Sequence, residues 1–243
     1  MTTVACLDLV LNEFTPAETE ALTSLTPEMQ REWRKRGYIR KFEKHARFDP
    51  LDVIEIAVLK MFADRGIGPH RATAWAHDVA GSVLCLALEL RADAWAGGSP
   101  HDIVAQLPAD ATKYWPRGGT ADRPLEAFEQ RAWLARQVVN ALGFDFEHVS
   151  THVVMWPTDE IEFGRDGRFA IDLFPINNAE SDRVNRRFDG PVIFLNLSVI
   201  AENLVIRSPK PLVAAELGCG DGKRLSLPWS PGLAANVSRR RFD

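Results

Sequence analysis

The sequence predicts an α+β protein: a helical N-terminal module, a connection rich in proline and glycine, and a C-terminal module mixing strands and helices. Three observations lead there. Helix start signals and apolar residues at steps of three and four run from Thr15 to about Ala94. From Thr151 the apolar period shortens to two, the spacing of a half-buried strand. Between them, residues 108–124 hold Pro108, Pro116, Pro124 and Gly118-Gly119, a composition that breaks both patterns. The expected organisation is therefore 1–95, a linker over 96–124, and 125–243. At 243 residues, with 46% hydrophobic and 26% charged side chains, the chain can bury a substantial core.

The elements follow in order. Thr15-Pro16 opens a short helix, with Glu18 and Glu20 near its positive end. Thr26-Pro27-Glu28 repeats the signal and starts a second helix that runs to Arg36 and stops at Gly37. Two short helices joined around Ser24-Leu25 have helix-turn-helix spacing. Gly37–Arg40 and Ala46–Phe48 lean towards strand and predict a small hairpin around Lys41–His45. Asp49-Pro50 caps an apolar helix ended by Gly66. Pro69 opens a longer one, on which Trp75, Val79, Val83, Leu86 and Leu90 form one stripe and Ala72, Ala76, Ala80 and Ala87 an adjacent one. The first stripe is the expected dimerisation seam. Leu125–Leu142 returns to helix. Strands are predicted at 152–156, 160–163, 168–174 and 192–195, with a hairpin turn at Gly164–Gly167. A short helix over Leu197–Val205, a strand over Leu212–Leu217 and an irregular tail complete the chain.

Charge is distributed unevenly. Residues 31–47 carry eight cations (Arg31, Arg34, Lys35, Arg36, Arg40, Lys41, Lys44 and Arg47) against Glu32 and Glu43, a local charge of +6. The whole chain is −4, so the remaining residues sum to −10. An acidic protein that gathers cations into one block is built to meet a polyanion there. Most charge runs are merely solvated surface; this one is ordered by a helix-turn-hairpin pattern. A helix fits the DNA major groove, where its side chains reach base edges while neighbouring cations hold phosphates. On Thr26–Arg36 the outward side chains are expected to be Glu28, Gln30, Arg31 and Arg34, with Met29 and Trp33 buried. Arg31 or Arg34 is expected to read a guanine. Lys35, Arg36, Arg40, Lys41, Lys44 and Arg47 would hold the backbone, with Thr26, Tyr38 and His45 beside it.

These residues resemble a known family. Trp33-Arg34-Lys35-Arg36-Gly37-Tyr38-Ile39, a basic hairpin closing on Arg47-Phe48, and an Asp-led helix ending Arg65-Gly66-Ile67 are similar to the MerR-type winged helix-turn-helix. The resemblance spans roughly residues 13–80. Arg31 and Trp33 match the family's Arg and second Tyr, Gly37 its Gly, and Arg47-Phe48 its wing closure. Glu32 stands where the first Tyr would be, and the cysteine cluster of metal-sensing members is absent. The resemblance implies a homodimeric transcriptional regulator reading two half-sites of double-stranded DNA in the cytoplasm, associated with the nucleoid. The C-terminal module, outside the resemblance, is expected to supply self-association, effector sensing or contact with another protein such as RNA polymerase.

Other classes fare less well. Cys6, Cys85 and Cys219 form neither a CxxC pair nor a disulfide framework, and six histidines give no HExxH, so no metal or other cofactor is expected. No apolar run is long enough to span a membrane, and no leader segment is read. Ala214–Gly222, AAELGCGDG, imitates the glycine-rich turn of S-adenosylmethionine methyltransferases, but only 21 residues follow it, too few for the further βαβ units such a site requires. No catalytic grouping is assigned, and the chain is not expected to be an enzyme. Two alternatives remain: an architectural or recombination-directionality DNA-binding protein, and a DNA-targeted enzyme with a C-terminal cofactor site.

Overall fold

The computed structural model describes residues 5–43, 45–96, 127–144, 149–155, 161–164, 192–219, 225–226 and 234–239. Among them it is α+β, with six α-helices and two small sheets. The chain runs β1 (Ala5–Leu11), α1 (Pro16–Thr23), α2 (Pro27–Arg36), α3 (Pro50–Ala63), α4 (Pro69–Leu90), a 3-10 turn (Ala92–Ala94) and β2 (Trp95–Ala96). It continues α5 (Ala127–Ala141), β3 (His152–Met155), β4 (Ile161–Gly164), β5 (Ile193–Asn196) and α6 (Leu197–Arg207). Last come β6 (Val213–Cys219), β7 (Leu225–Ser226) and β8 (Ala234–Arg239). The expected linker beyond Ala96, the strand at 168–174, the turn residues 165–167 and the glycines after Cys219 lie outside the described residues.

The N-terminal helices begin where their caps dictate. The Thr15 side chain accepts from Glu18 N at 3.2 Å while Glu18 Oε2 accepts from Thr15 N at 2.7 Å, a reciprocal capping box. Asp49 and Asp52 build the same box on α3, both contacts at 3.0 Å. The Thr26 hydroxyl accepts from Met29 N on α2. That helix ends in a Schellman turn: Gly37 sits at φ +79°, its N–H bonds Arg34 O, and Tyr38 N–H bonds Trp33 O.

Strand β1 is absent from the expectation of a helical N-terminal module. It lies at the centre of a five-stranded sheet ordered β2-β6-β1-β8-β7, antiparallel to β6 and parallel to β8. Leu9 and Leu11 are fully buried from it. Its partners are the strand expected over Leu212–Leu217 and part of the expected irregular tail, so the chain's two ends meet. Asn12 fixes the junction, its Nδ2 donating to Pro211 O at 2.8 Å and its N–H to Leu212 O at 2.9 Å. Lys210 closes it from the other side, 2.9 Å from Glu18 and over the Phe14 ring at 4.8 Å. The second sheet, β4-β3-β5, is antiparallel and matches three of the predicted strands.

Helix α4 is the axis of the core. From Val79 to Leu88 every residue is buried, on all faces, with α3, α5 and α6 packed around it. A helix apolar all round belongs inside a protein. This corrects the expected dimer seam: Val79, Val83 and Leu86 are consumed by the chain's own core, Trp75 packs edge-on to Phe62 at 4.4 Å between ring centroids, and Leu90 is partly buried against the same core. Gly81 allows a close approach, since a Cβ there would lie 2.6 Å from the Phe144 ring. One hydrophobic core runs from Leu9 to Val213, so the boundary drawn at residue 95 does not separate two cores among the described residues. No helix of the described residues is long and apolar enough to cross a membrane.

Candidate nucleic-acid interface

Helix α2 is the most exposed of the N-terminal helices, and a bond to the start of α1 helps set its inner face. Trp33 is buried at 6% exposure and Gln30 fully. The Gln30 amide Nε2 donates to Pro16 O at 2.9 Å and to Leu25 O at 2.8 Å, tying α2 to the start of α1 and to the intervening turn. Gln30 therefore cannot reach a base edge; it holds the angle between the two helices. Met29, expected inside, is 43% exposed instead. The helix is rotated from the expected face: Gln30 and Trp33, three apart, form the buried side together, with Gln30 tied to the start of α1.

The opposite face carries the charge. Glu28, Arg31, Glu32, Lys35 and Arg36 are exposed. Arg36 is engaged, its Nε 2.6 Å from Glu32 one turn earlier. The hydrogen bond from Arg36 holds the Glu32 carboxyl below its ordinary range. Arg34 is half-buried and donates from Nε to Gln30 O at 3.3 Å. Arg31 makes no ion pair among the described residues, and its neighbour one turn on, Lys35, is exposed beside it. Thr26 spends its hydroxyl on the helix cap.

The segment after Gly37 does not form the predicted hairpin. None of its described residues is in a strand, and Phe48 pairs with Phe14, with reciprocal backbone bonds at 2.7 and 2.9 Å. The reason is burial: both Phe14 and Phe48 are fully enclosed, which draws the end of the basic segment to the end of β1 and away from residues 37–40. Phe42 packs edge-on to Phe48 at 5.1 Å, folding the segment onto the same core. Lys41, His45 and Arg47 remain exposed along it, Tyr38 is half-buried, and Lys44 lies outside the described residues.

Arg40 has a different role from the one expected. Its Nη1 lies 3.1 Å from Asp49 and 3.0 Å from Asp52, and its guanidinium stands 4.6 Å from the Phe42 ring centre. The Asp49 side chain is only 2% exposed. Arg40 thus neutralises the two carboxylates that cap α3. Among the described residues of this region, the cations left without an ion pair are Arg31 and Lys35 on α2 and Lys41 and Arg47 on the segment, with His45 exposed beside them. Among the described residues no group of histidine, cysteine and acidic side chains is placed to hold a metal ion. Comparison with known proteins finds no matching family model, no similar curated protein and no similar solved structure.

Proposed function

We propose that this chain is a DNA-binding regulator that presents α2 to the major groove of duplex DNA and lays the basic segment along the phosphate backbone. The observation that carries the reading is the two-sidedness of α2. Gln30 ties one face to the start of α1 and Trp33 is buried beside it, while Arg31 and Lys35 stand exposed on the other. A rigidly held helix with outward cations is what groove recognition requires, since long side chains must arrive at base edges already positioned. Arg31 is the base-reading candidate, as a planar guanidinium can bond two guanine acceptors at once. Lys35, Lys41 and Arg47 would hold phosphates. The segment supports an extended arm rather than a hairpin wing, so the MerR-like element of this reading is the helix pair α1–α2.

Fluorescence anisotropy with labelled duplex DNA across a salt series tests the reading. Lys35→Ala with Arg47→Ala is expected to weaken binding to all sequences and to lower the magnitude of the salt slope by roughly 2. Arg31→Ala is expected to cost about 1–3 kcal/mol on a selected site and to flatten the preference for it. Unchanged affinity and salt slope in the double variant, with its fold intact by circular dichroism, would remove the interface from α2.

A further inference from the structure

Of the first-turn carboxylates on α1, α2 and α3, only that of α2 is not engaged by its own helix cap. On α1 and α3 the acid, Glu18 or Asp52, stands at the third helical position and closes a capping box. On α2 that position is Met29, and the acid, Glu28, stands one residue earlier. The Thr26 hydroxyl accepts from Met29 N at 3.3 Å without a reciprocal carboxylate. Glu28 is exposed and has no ion pair among the described residues, whereas Glu32, one turn on, is held by Arg36 at 2.6 Å. We propose that Glu28 is a specificity-determining residue of the interface and reads a cytosine beside the guanine read by Arg31. This assignment rests on the DNA reading of α2.

At about 3.6 residues per turn, Glu28, Arg31 and Lys35 lie on the side of α2 away from the buried Gln30 and Trp33. Glu28 and Arg31, three apart, are neighbours on that side, with roughly 5–6 Å between their Cβ atoms. Successive bases of one strand are about 3.4 Å apart, so the two side chains reach bases one or two steps from each other. An anion carried into a groove flanked by phosphates is repelled there unless a base offers it a hydrogen-bond donor. The major-groove edges restrict which base can do so. Guanine shows the acceptors N7 and O6, and thymine the O4 acceptor and a methyl group. Adenine shows its N6 donor next to the N7 acceptor, which opposes a carboxylate. Cytosine shows the N4 donor with no acceptor beside it on its own edge. Glu28 therefore accepts from cytosine N4 and disfavours the other three bases, while Arg31 favours guanine. An acid placed beside a cation in this way lowers affinity for every other sequence, so the pair raises discrimination without raising general attraction to DNA.

Enrichment from a randomised duplex library with the full chain, followed by anisotropy on the enriched duplex and its single-base variants, tests the assignment. The wild type is expected to enrich a guanine and, one or two positions away, a cytosine, and to lose roughly five- to tenfold in affinity when that cytosine is replaced. Glu28→Gln is expected to move the preference at that position to adenine, because the amide bonds N6 and N7 together. Glu28→Ala is expected to level the four bases there to within about twofold and to keep the guanine. Arg31→Ala is expected to do the reverse. Circular dichroism confirms the fold of each variant. A cytosine preference unchanged in folded Glu28→Gln and Glu28→Ala, or a wild-type site without the cytosine, overturns the assignment. So does a loss of thermal stability in these variants with no change in base preference, which would leave Glu28 as a charge at the positive end of α2. In each of these cases a guanine that depends on Arg31 keeps the DNA reading standing. If the wild type enriches no sequence, and Lys35→Ala with Arg47→Ala leaves the salt slope unchanged, the DNA reading falls and this assignment with it.

Discussion

Replacing Arg40 by Ala separates a structural cation from a nucleic-acid contact. In the folded chain Arg40 sits 3.1 Å from Asp49, whose side chain is 2% exposed, and 3.0 Å from Asp52, at 11%. Removing the guanidinium takes a cation away from two carboxylates at the positive end of α3. An exposed pair would be worth at most about 1 kcal/mol. Hydrogen bonds to charged groups contribute about 1.5–3 kcal/mol, and an unpaired buried charge costs more. Arg40 itself is 38% exposed, so water screens part of the gain. The Asp49 and Asp52 oxygens also keep their bonds to backbone N–H groups in the capping box. The expected loss is therefore about 2 kcal/mol, or about 4–8 °C in Tm for a chain of this size. Urea denaturation and thermal melting measure it. Anisotropy on duplex DNA, run at a temperature where the variant is folded, should return an unchanged salt slope. Adding Asp49→Asn to the Arg40→Ala background should recover part of the loss, because Asn caps a helix as well as Asp without a charge to bury. If Arg40→Ala melts with the wild type and its salt slope falls by about 1, Arg40 is a phosphate contact and the capping argument is wrong.

Two further outcomes follow from the core and from Glu55. Burial first, then Asp49, raises the Glu55 carboxyl, and His77 opposes the rise, leaving the folded-state value above the unfolded one. The stability this group contributes is full below the ordinary carboxylate range and is lost as pH rises through the raised value. Glu55→Gln should therefore match or exceed wild-type stability at neutral pH and show a shallower decline on leaving acid, in urea titrations from pH 4 to 8; a variant clearly less stable at pH 7 would give the His77 attraction the larger share. Val83→Ala, at a fully buried position on α4, should lower stability by roughly 2 kcal/mol through lost burial and a cavity. Its sedimentation should equal that of wild type, and its urea midpoint should not depend on protein concentration. Dissociation of a dimer with stability unchanged would return α4 to a subunit seam.

What the sequence determined by itself is local. Thr15 with Glu18 and Asp49 with Asp52 set helix starts through contacts three residues apart, Thr26 opened α2 and Gly37 ended it, and the apolar periods located α4, α5 and the strands of the β4-β3-β5 sheet. The concentration of cations between residues 31 and 47 was equally plain. What only the tertiary structure decided are the choices that depend on distant partners. Strand β1 carries no turn signal and finds its place because β6 and β8, from the other end of the chain, supply its hydrogen bonds; Asn12 and Pro211 meet across 199 positions. Which face of α2 turns inward was settled by Pro16 and Leu25 offering carbonyls to Gln30, which periodicity ranks as polar and outward. Trp75, Val79, Val83, Leu86 and Leu90 announced an apolar stripe without saying what would cover it, and α3, α5 and α6 did so. Phe48 left the expected hairpin for a backbone bridge to Phe14 because burying both side chains outweighs a short exposed ladder. Arg40 turned to Asp49 and Asp52 because a cation next to two capping carboxylates is held there before any ligand arrives. Local signals fix where elements begin; the competition among distant surfaces for burial and partners fixes what each side chain is for.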